Sequence, residues 1–349
     1  MYYAIVSDVH ANHLALHAVD RVVKELRLEF DPYQMGARPL RYWFLGDLLG
    51  YGPDPRACLE WLRYTSKLEN RWVPGNHDDA VAWLLEQGIG QDTTSAPSSK
   101  QAHSSATSSD QANISWQKHA EILRQPENSS YLDWFQREVK LRTEEETSLI
   151  TEQHPALTCV FTHASTHPDG RRTHYHFAWD HYQTILAGEL QTLWDQHGGP
   201  GQIVCLFHGH THYPIVAQLA YEKREVTYHA IPYGQPIPLT EGTWAINPGS
   251  VGQPRDGDPR ASFAVLDIHA RTITFHRVMY DVLTTIERLR LDGYPDSLVK
   301  LVSSANGGAN LTYYRQVYQA PDLERLPIVE AAEGQPAGDA AESTSAHPS

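Results

Sequence analysis

Two histidines stand two residues apart in Cys205-Leu206-Phe207-His208-Gly209-His210-Thr211-His212, where an apolar run at 203–207 meets a glycine. The run has the length and composition of a buried strand, and the glycine allows a sharp turn beyond it. Side chains two residues apart in extended backbone project the same way, so His210 and His212 can each give an imidazole to one of two adjacent metal ions. Alone the pair carries little weight, because the chain has 20 histidines in 349 residues. Four other apolar runs end in similar chemistry. Residues 2–6 lead into Ser7-Asp8-Val9-His10-Ala11-Asn12, and 42–45 into Gly46-Asp47. Trp72-Val73 leads into Pro74-Gly75-Asn76-His77-Asp78, and 157–161 into Thr162-His163-Ala164. Five strand-like segments thus deliver Asp, Asn or His at their carboxyl ends, where open α/β sheets gather their binding groups in one crevice.

The ordered set Asp-x-His, Gly-Asp, Gly-Asn-His-Asp, a lone His and Gly-His-x-His resembles the calcineurin-like metallophosphoesterases, over residues 1 to about 302. Within that superfamily, Asp8-Val9-His10-Ala11-Asn12, the Gly-Asp-Leu-Leu-Gly-Tyr-Gly-Pro stretch at 46–53 and the Asn-Pro-Gly-Ser stretch at 247–250 look like the small bacterial and archaeal phosphodiesterase branch. The resemblance implies a four-layer αββα sandwich with two divalent ions at one edge. Asp8, His10, Asp47 and His212 would hold one ion, and Asp47, Asn76, His163 and His210 the other, with Asp47 bridging. It further implies His77 as general acid to the leaving group, oriented by Asp78, although Asp78 suits a helix cap equally well. Asn12 and Arg255 are expected at the substrate. The arginine of the protein Ser/Thr phosphatase motif Gly-Asp-x-Val-Asp-Arg-Gly has no counterpart after Asp47, which weakens protein dephosphorylation as the activity.

The elements that must position these residues follow from periodicity. Leu14, Leu16, Val19, Val22, Val23 and Leu26 recur at helical spacing and predict a helix over 12–28, followed by a long connector at 29–40. A second helix is expected over 55–65. Residues 88–112 are rich in Ser, Thr and Gln with almost no large apolar side chain, so disorder is expected there. Helical spacing resumes over 113–125 and 130–141 as a cap insertion, whose Trp116 and Trp134 either border the active cleft or, as expected of such residues more often, pack within the cap. The polar loop at 164–176 carries Arg171 and Arg172 and reads as exposed. Strands follow at 215–219, 226–231, 243–246, 262–268 and 272–278, then a helix at 282–291. Residues 303–333 read as an extension of the 1–302 catalytic domain, and 334–349 as a disordered tail. The histidines outside the motifs, including His13, His17, His208 and His229, read as structural.

Composition bounds the rest. A formal charge of −14 argues against broad adhesion to nucleic acid or anionic membrane. Three cysteines in or beside apolar segments suit buried thiols, hence a reducing compartment, and the start lacks a basic signal-peptide region, so the cytoplasm is expected. No apolar run reaches the roughly 20 residues of a membrane helix. Two divalent ions against the two negative charges of Asp8 and Asp47 leave a cationic site suited to a small phosphorylated substrate. The oxygen and nitrogen donors, with no thiolate, favour manganese, iron or zinc. The expected reaction is hydrolysis of a phosphodiester, phosphomonoester or dinucleoside polyphosphate by a hydroxide bridging the metals. The alternatives are a catalytically silent metal-binding scaffold subunit, and a nuclease or protein phosphatase; homo-oligomerisation is left open by the sequence.

Overall fold

In a computed structural model the described residues are 1–30, 40–65, 71–87, 106–144, 149–167, 179–220 and 225–305. The expected connector at 29–40 is described only at its ends. Most of the Ser/Thr-rich segment, Arg171 and Arg172, and everything beyond residue 305 lie outside them.

Strand β1 (Tyr2–Val6) is buried along its whole length, and its side chains alternate between two cores. Tyr2, Ala4 and Val6 face one apolar cluster, whereas Tyr3 and Ile5 face another. This two-sided burial is what a continuous apolar run without polar alternation demands. β1 pairs in parallel with β2 (Leu40–Phe44), which pairs in parallel with β3 (Arg71–Trp72). On its other side β1 meets β11 (Ala261–Asp267) antiparallel, followed by β12 (Thr272–Val278) and β9 (Pro236–Pro238). The second sheet has the order β4-β5-β6-β10-β7-β8. Its strands are β4 (Leu149–His154), β5 (Leu157–Thr162), β6 (Ile203–Phe207), β7 (Pro214–Ala220), β8 (Glu225–Tyr228) and β10 (Gly242–Pro248).

The two sheets meet across a core of Tyr3, Ile5, Trp43, Cys159, Phe161, Cys205, Phe207, Ile246 and Phe275. Trp43 of the first sheet stacks on Phe161 of the second, with ring centroids 3.4 Å apart, and Phe161 stacks in turn on Phe207. All three cysteines are buried free thiols. The outer face of the first sheet is covered by α1 (His13–Phe30), α2 (Pro55–Thr65), α3 (Asn76–Gln87), α4 (Ala106–Leu123) and α5 (Ser129–Glu144). The outer face of the second is covered by α6 (Trp179–His197) through Leu186, Leu190 and Leu193. Helix on sheet on sheet on helix is the four-layer α/β architecture expected from the sequence.

Several boundaries differ from the sequence expectation. Helix α4 begins at Ala106, inside the stretch expected to be disordered, because Ala112 and Ser115 are buried and anchor its first turns. The expected domain limit at residue 302 falls within α8 (Asp296–Ser304), which follows α7 (Val282–Leu291). Leu298, Val299 and Val302 of α8 pack with Tyr51 and Ala112, so this helix belongs to the same body. Strand β10 runs on through Asn247-Pro248, two residues beyond the 243–246 expected from the sequence.

The segment after β10 is secured by a buried charge cluster. Arg277 of β12, 2% exposed, pairs with Asp256 and lies 3.8 Å from Asp258, which Arg260 also holds. Removing the cation strands the Asp256 carboxylate, while Asp258 keeps Arg260, a loss of about 3–5 kcal/mol for a broken buried pair. Arg277→Leu should therefore lower the unfolding free energy from urea titration by that amount, seen as a lower midpoint, and adding Asp256→Asn should recover part of it. An unchanged midpoint would show that the cluster contributes nothing to folding.

Candidate dimetal centre

The site lies where the carboxyl ends of β1, β2 and β3 meet those of β5 and β6. Its backbone is unusual. Asp8, His10, Ala11, Asp47, Tyr51, His210 and His212 all have φ between 49° and 65°, the left-handed region that side chains normally avoid. Each such residue bends the chain sharply and aims its side chain at the cleft. His210 and His212 therefore do not share a face of extended chain, as their spacing suggested. Two left-handed residues, with Thr211 N–H donating to the Gly209 carbonyl, send the two imidazoles to different clusters. Gly209 itself is obligatory: a Cβ there would collide with the Ser7 hydroxyl and the Asp8 carboxylate.

Asp8, His10 and His212 bring one donor atom each within 4.8 Å of one another, as do Asp47, His163 and His210. His212 Nε2 is 3.4 Å from Asp8 Oδ1, and His163 Nε2 is 3.3 Å from Asp47 Oδ2. Asn76 Oδ1 lies 3.2 Å from His163 Nε2, on the side of the second cluster. Asp47 Oδ2 is also 3.8 Å from His10 Nε2, so this carboxylate stands between the two groups. The seven residues expected as ligands are thus brought together, six of them in two groups of three and Asn76 beside the second.

The ring protons decide whether cations fit. His10 Nδ1 is 3.0 Å from the Leu49 carbonyl, His163 Nδ1 2.7 Å from that of Leu45, and His212 Nδ1 2.6 Å from that of Gln253. A carbonyl only accepts, so each Nδ1 must carry a proton, and the neutral rings of His10 and His212 present an Nε2 lone pair to the cleft. His10 Nε2 and His212 Nε2 then face each other at 3.0 Å. Two lone pairs at that distance repel unless a cation lies beside them. Burial pushes the protonation of His10, His210 and His212 well below the ordinary imidazole range. Burial also opposes a charge on His163, yet the adjoining Asp47 carboxylate lifts it to about 9. Burial raises Asp8 to about 7, helped by the charge of Asp47.

His77 and Asp78 are arranged differently from expectation. The Asp78 carboxylate accepts from the N–H groups of Leu48, Leu49 and Gly75, at 3.0–3.2 Å, and so does not orient His77. It caps α3 and clamps the loop after β2, the cap role that its position at the helix start allowed. His77 Nδ1 instead accepts from Trp116 Nε1 at 2.7 Å. Burial lowers His77 to about 4, so its ring is neutral at pH 7 rather than near its intrinsic pKa. A ring nitrogen of His77 lies within 4.8 Å of donor atoms of His10 and Asp47.

Asn12 is not at the substrate position expected for it. Its amide donates to the Gly252 carbonyl and the Tyr280 hydroxyl, while its Oδ1 accepts from Ala15 N–H as the cap of α1; it is 1% exposed. Arg255 does lie at the cleft. Its guanidinium donates to Gln253 Oε1 and hydrogen-bonds the Tyr51 hydroxyl, and its charge disfavours protonation of His10, His77, His210 and His212. Two contributors, Tyr51 and His119, escaped the sequence reading, and Trp116 lies at the cleft rather than only within the cap. Tyr51 packs against the rings of His10 and His77, with centroids 4.8 and 4.6 Å away. Trp116 reaches His77 from α4, and His119 accepts from Gly50 N–H while its other nitrogen meets the Gly52 carbonyl at 2.8 Å. The available signal was a Trp and a His three residues apart, hence on one helical face.

The family signature of the calcineurin-like phosphoesterase superfamily domain matches residues 1–271, and the chain belongs to that superfamily. Its relatives include bacterial and archaeal proteins. A metallophosphoesterase from Sphaerobacter thermophilus is 29% identical, with a TM-score of 0.57 over 87% of this chain and 100% of its own. An uncharacterized protein of Methanocaldococcus jannaschii is 26% identical over 296 residues, 84% of this chain and 94% of that protein. A hypothetical protein from Pyrococcus horikoshii OT3, 16% identical, shares the fold with a TM-score of 0.56 over 88% of this chain and 98% of its own. Among the described residues, no helix is long and apolar enough to cross a membrane.

Metal content tests the donor assignment directly. Protein stripped and reloaded with manganese should bind two ions per chain. Asp47→Asn should bind fewer than His210→Ala, because Asp47 stands between both clusters. Excess metal at about 100 times its dissociation constant should stabilise the fold by about 2.7 kcal/mol per site, read as a raised melting temperature. Equal losses in the two variants would remove the bridging role.

Proposed function

We propose that the chain is a dimetal-dependent phosphoesterase acting on a small phosphodiester, phosphomonoester or dinucleoside polyphosphate. The observation that carries this reading is the pair of donor clusters joined at Asp47, with unprotonated Nε2 atoms facing each other at 3.0 Å. When bound, two divalent ions would supply Lewis-acid charge to the phosphoryl group and lower the pKa of water. Manganese, iron and zinc all suit the mixed donors.

The chain's own residues do the rest. Asp8, His10, Asp47 and His212 hold one position, and Asp47, Asn76, His163 and His210 the other. Two carboxylates among seven donors leave the loaded centre cationic, so a phosphate ester is drawn to it although the protein as a whole is acidic. Arg255 adds a guanidinium beside Tyr51 for a phosphate oxygen, a contact suited to its fork of donors. His77 presents an N–H to the leaving oxygen and so stabilises charge that develops as the ester bond breaks. The surrounding rings of Tyr51 and Trp116 limit water around it.

The test is turnover of bis-p-nitrophenyl phosphate, p-nitrophenyl phosphate and diadenosine tetraphosphate by manganese-loaded protein. Activity should require metal and vanish in Asp47→Asn. His77→Ala should lose about 10²–10⁴ in kcat while keeping both ions, and Arg255→Ala should act mainly on KM. Full metal loading with no turnover on any of the three would point instead to a metal-binding scaffold.

A further inference from the structure

Helix α4 meets His77 through a hydrogen bond whose polarity is fixed. An indole nitrogen can only donate, so His77 Nδ1, 2.7 Å from Trp116 Nε1, must accept. The single ring proton of neutral His77 is therefore on Nε2. That is the opposite tautomer to His10 and His212, whose Nδ1 atoms donate to carbonyls. The carboxylate nearest in sequence, Asp78, is occupied by three backbone N–H groups, and no other side chain hydrogen-bonds His77 among the described residues. Nε2–H has no protein acceptor there. The ring is held from other sides by Tyr51 and by Gly50, whose missing side chain leaves room for the imidazole. His119, one turn along α4 from Trp116, fixes Gly50 and Gly52.

We infer that Trp116 is a positioning residue for His77: its indole N–H holds the imidazole as the Nε2–H tautomer and so makes it a hydrogen-bond donor toward substrate rather than a metal ligand. The consequence for activity rests on the phosphoesterase reading above; the tautomer does not. In most histidine relays a carboxylate or carbonyl accepts from the imidazole and leaves the far nitrogen as a base or ligand. Here a donor takes that place, and the far nitrogen is left with a proton to share. A ring nitrogen of His77 sits within ligand distance of His10 and Asp47, so without Trp116 the ring could turn Nε2 unprotonated into the metal cluster.

The experiment combines nitrogen-15 NMR of the imidazoles in the metal-free full chain with kinetics of the manganese-loaded enzyme. In the unsubstituted protein His77 should show a protonated Nε2 and an unprotonated Nδ1. Trp116→Phe, which keeps an aromatic ring without the N–H, should give a tautomer mixture at His77. Trp134→Phe is the control, since Trp134 packs in the same helical layer against Trp72 and does not meet His77. In turnover, Trp116→Phe should lower kcat about 10-fold for diphenyl phosphate, whose leaving group is the more basic, and much less for bis-p-nitrophenyl phosphate. Metal stoichiometry should stay at that of the unsubstituted protein, or rise if the freed ring becomes a ligand. A protonated Nδ1 in the unsubstituted protein would overturn the inference whether or not the variant folds. So would equal losses on both esters with an unchanged tautomer in folded Trp116→Phe. A chain with the expected tautomer and no turnover on any ester would refute the phosphoesterase reading and leave the Trp116–His77 assignment in place.

Discussion

Paired imidazole nitrogens at 3.0 Å set the demand that the rest of the structure meets. Left to solvent, two such rings would rotate apart or take up a proton. They cannot rotate, because Leu49 and Gln253 carbonyls hold their other nitrogens, and burial resists protonation. The carbonyls must in turn be immobile. Leu49 is fixed through its own N–H by Asp78, and Gln253 through its N–H by the Ser250 hydroxyl. Ser250 donates to the Asp8 carbonyl, which closes the circuit back to the first ligand.

The circuit also locks the two sheets together. His163 comes from the second sheet and donates to Leu45 after β2 of the first. His210 N–H, from the second sheet, donates to both oxygens of Asp8 at 3.1 Å. Asn247 on β10 donates to the Gly209 carbonyl and the Thr211 hydroxyl, which secures the loop that presents both histidines. The stacked Trp43, Phe161 and Phe207 lie in the core just behind these ties, so the register of the sandwich and the geometry of the centre depend on each other.

The central strands were legible as short apolar runs that end in turn residues, and the sandwich they build followed from the family resemblance of the motifs at their ends. The ligands were legible because Asp, Asn and His at strand ends are polar groups where the pattern otherwise predicts turns. What the sequence hid was direction. Nothing in Gly-His-Thr-His reveals that both histidines adopt a left-handed backbone. Nothing in Gly-Asn-His-Asp reveals that Asp78 turns to three backbone N–H groups while His77 finds an indole some 40 residues later in the chain. Asn12 misled for a related reason: a polar residue between a ligand and a helix suits substrate contact and helix capping alike, and here its amide and oxygen are both consumed by the fold. Short or edge elements such as β9 and α8 carried too few residues to show a period.

Seven left-handed residues in one site are a concentrated conformational cost, of about 1 kcal/mol or more each. Asp and His tolerate that region better than most side chains, but Ala11 and Tyr51 gain no such relief. The strain is sustained by backbone pairing that leaves each loop little choice. Asp8, His10 and Ala11 N–H donate in succession to the carbonyls of Gly46, Asp47 and Leu48, and Gly52 N–H returns to His10. The loops after β1 and β2 thus form a continuous ladder beyond the end of the sheet, without regular strand geometry. Such a ladder holds Asp8, His10, Asp47 and Tyr51 at fixed mutual positions before any ligand arrives, and it lies directly under Trp116 and His119 of α4. A helix that the sequence marked as a cap insertion therefore serves as an outer wall of the centre, and it bears on His77, which the two donor sets leave unclaimed.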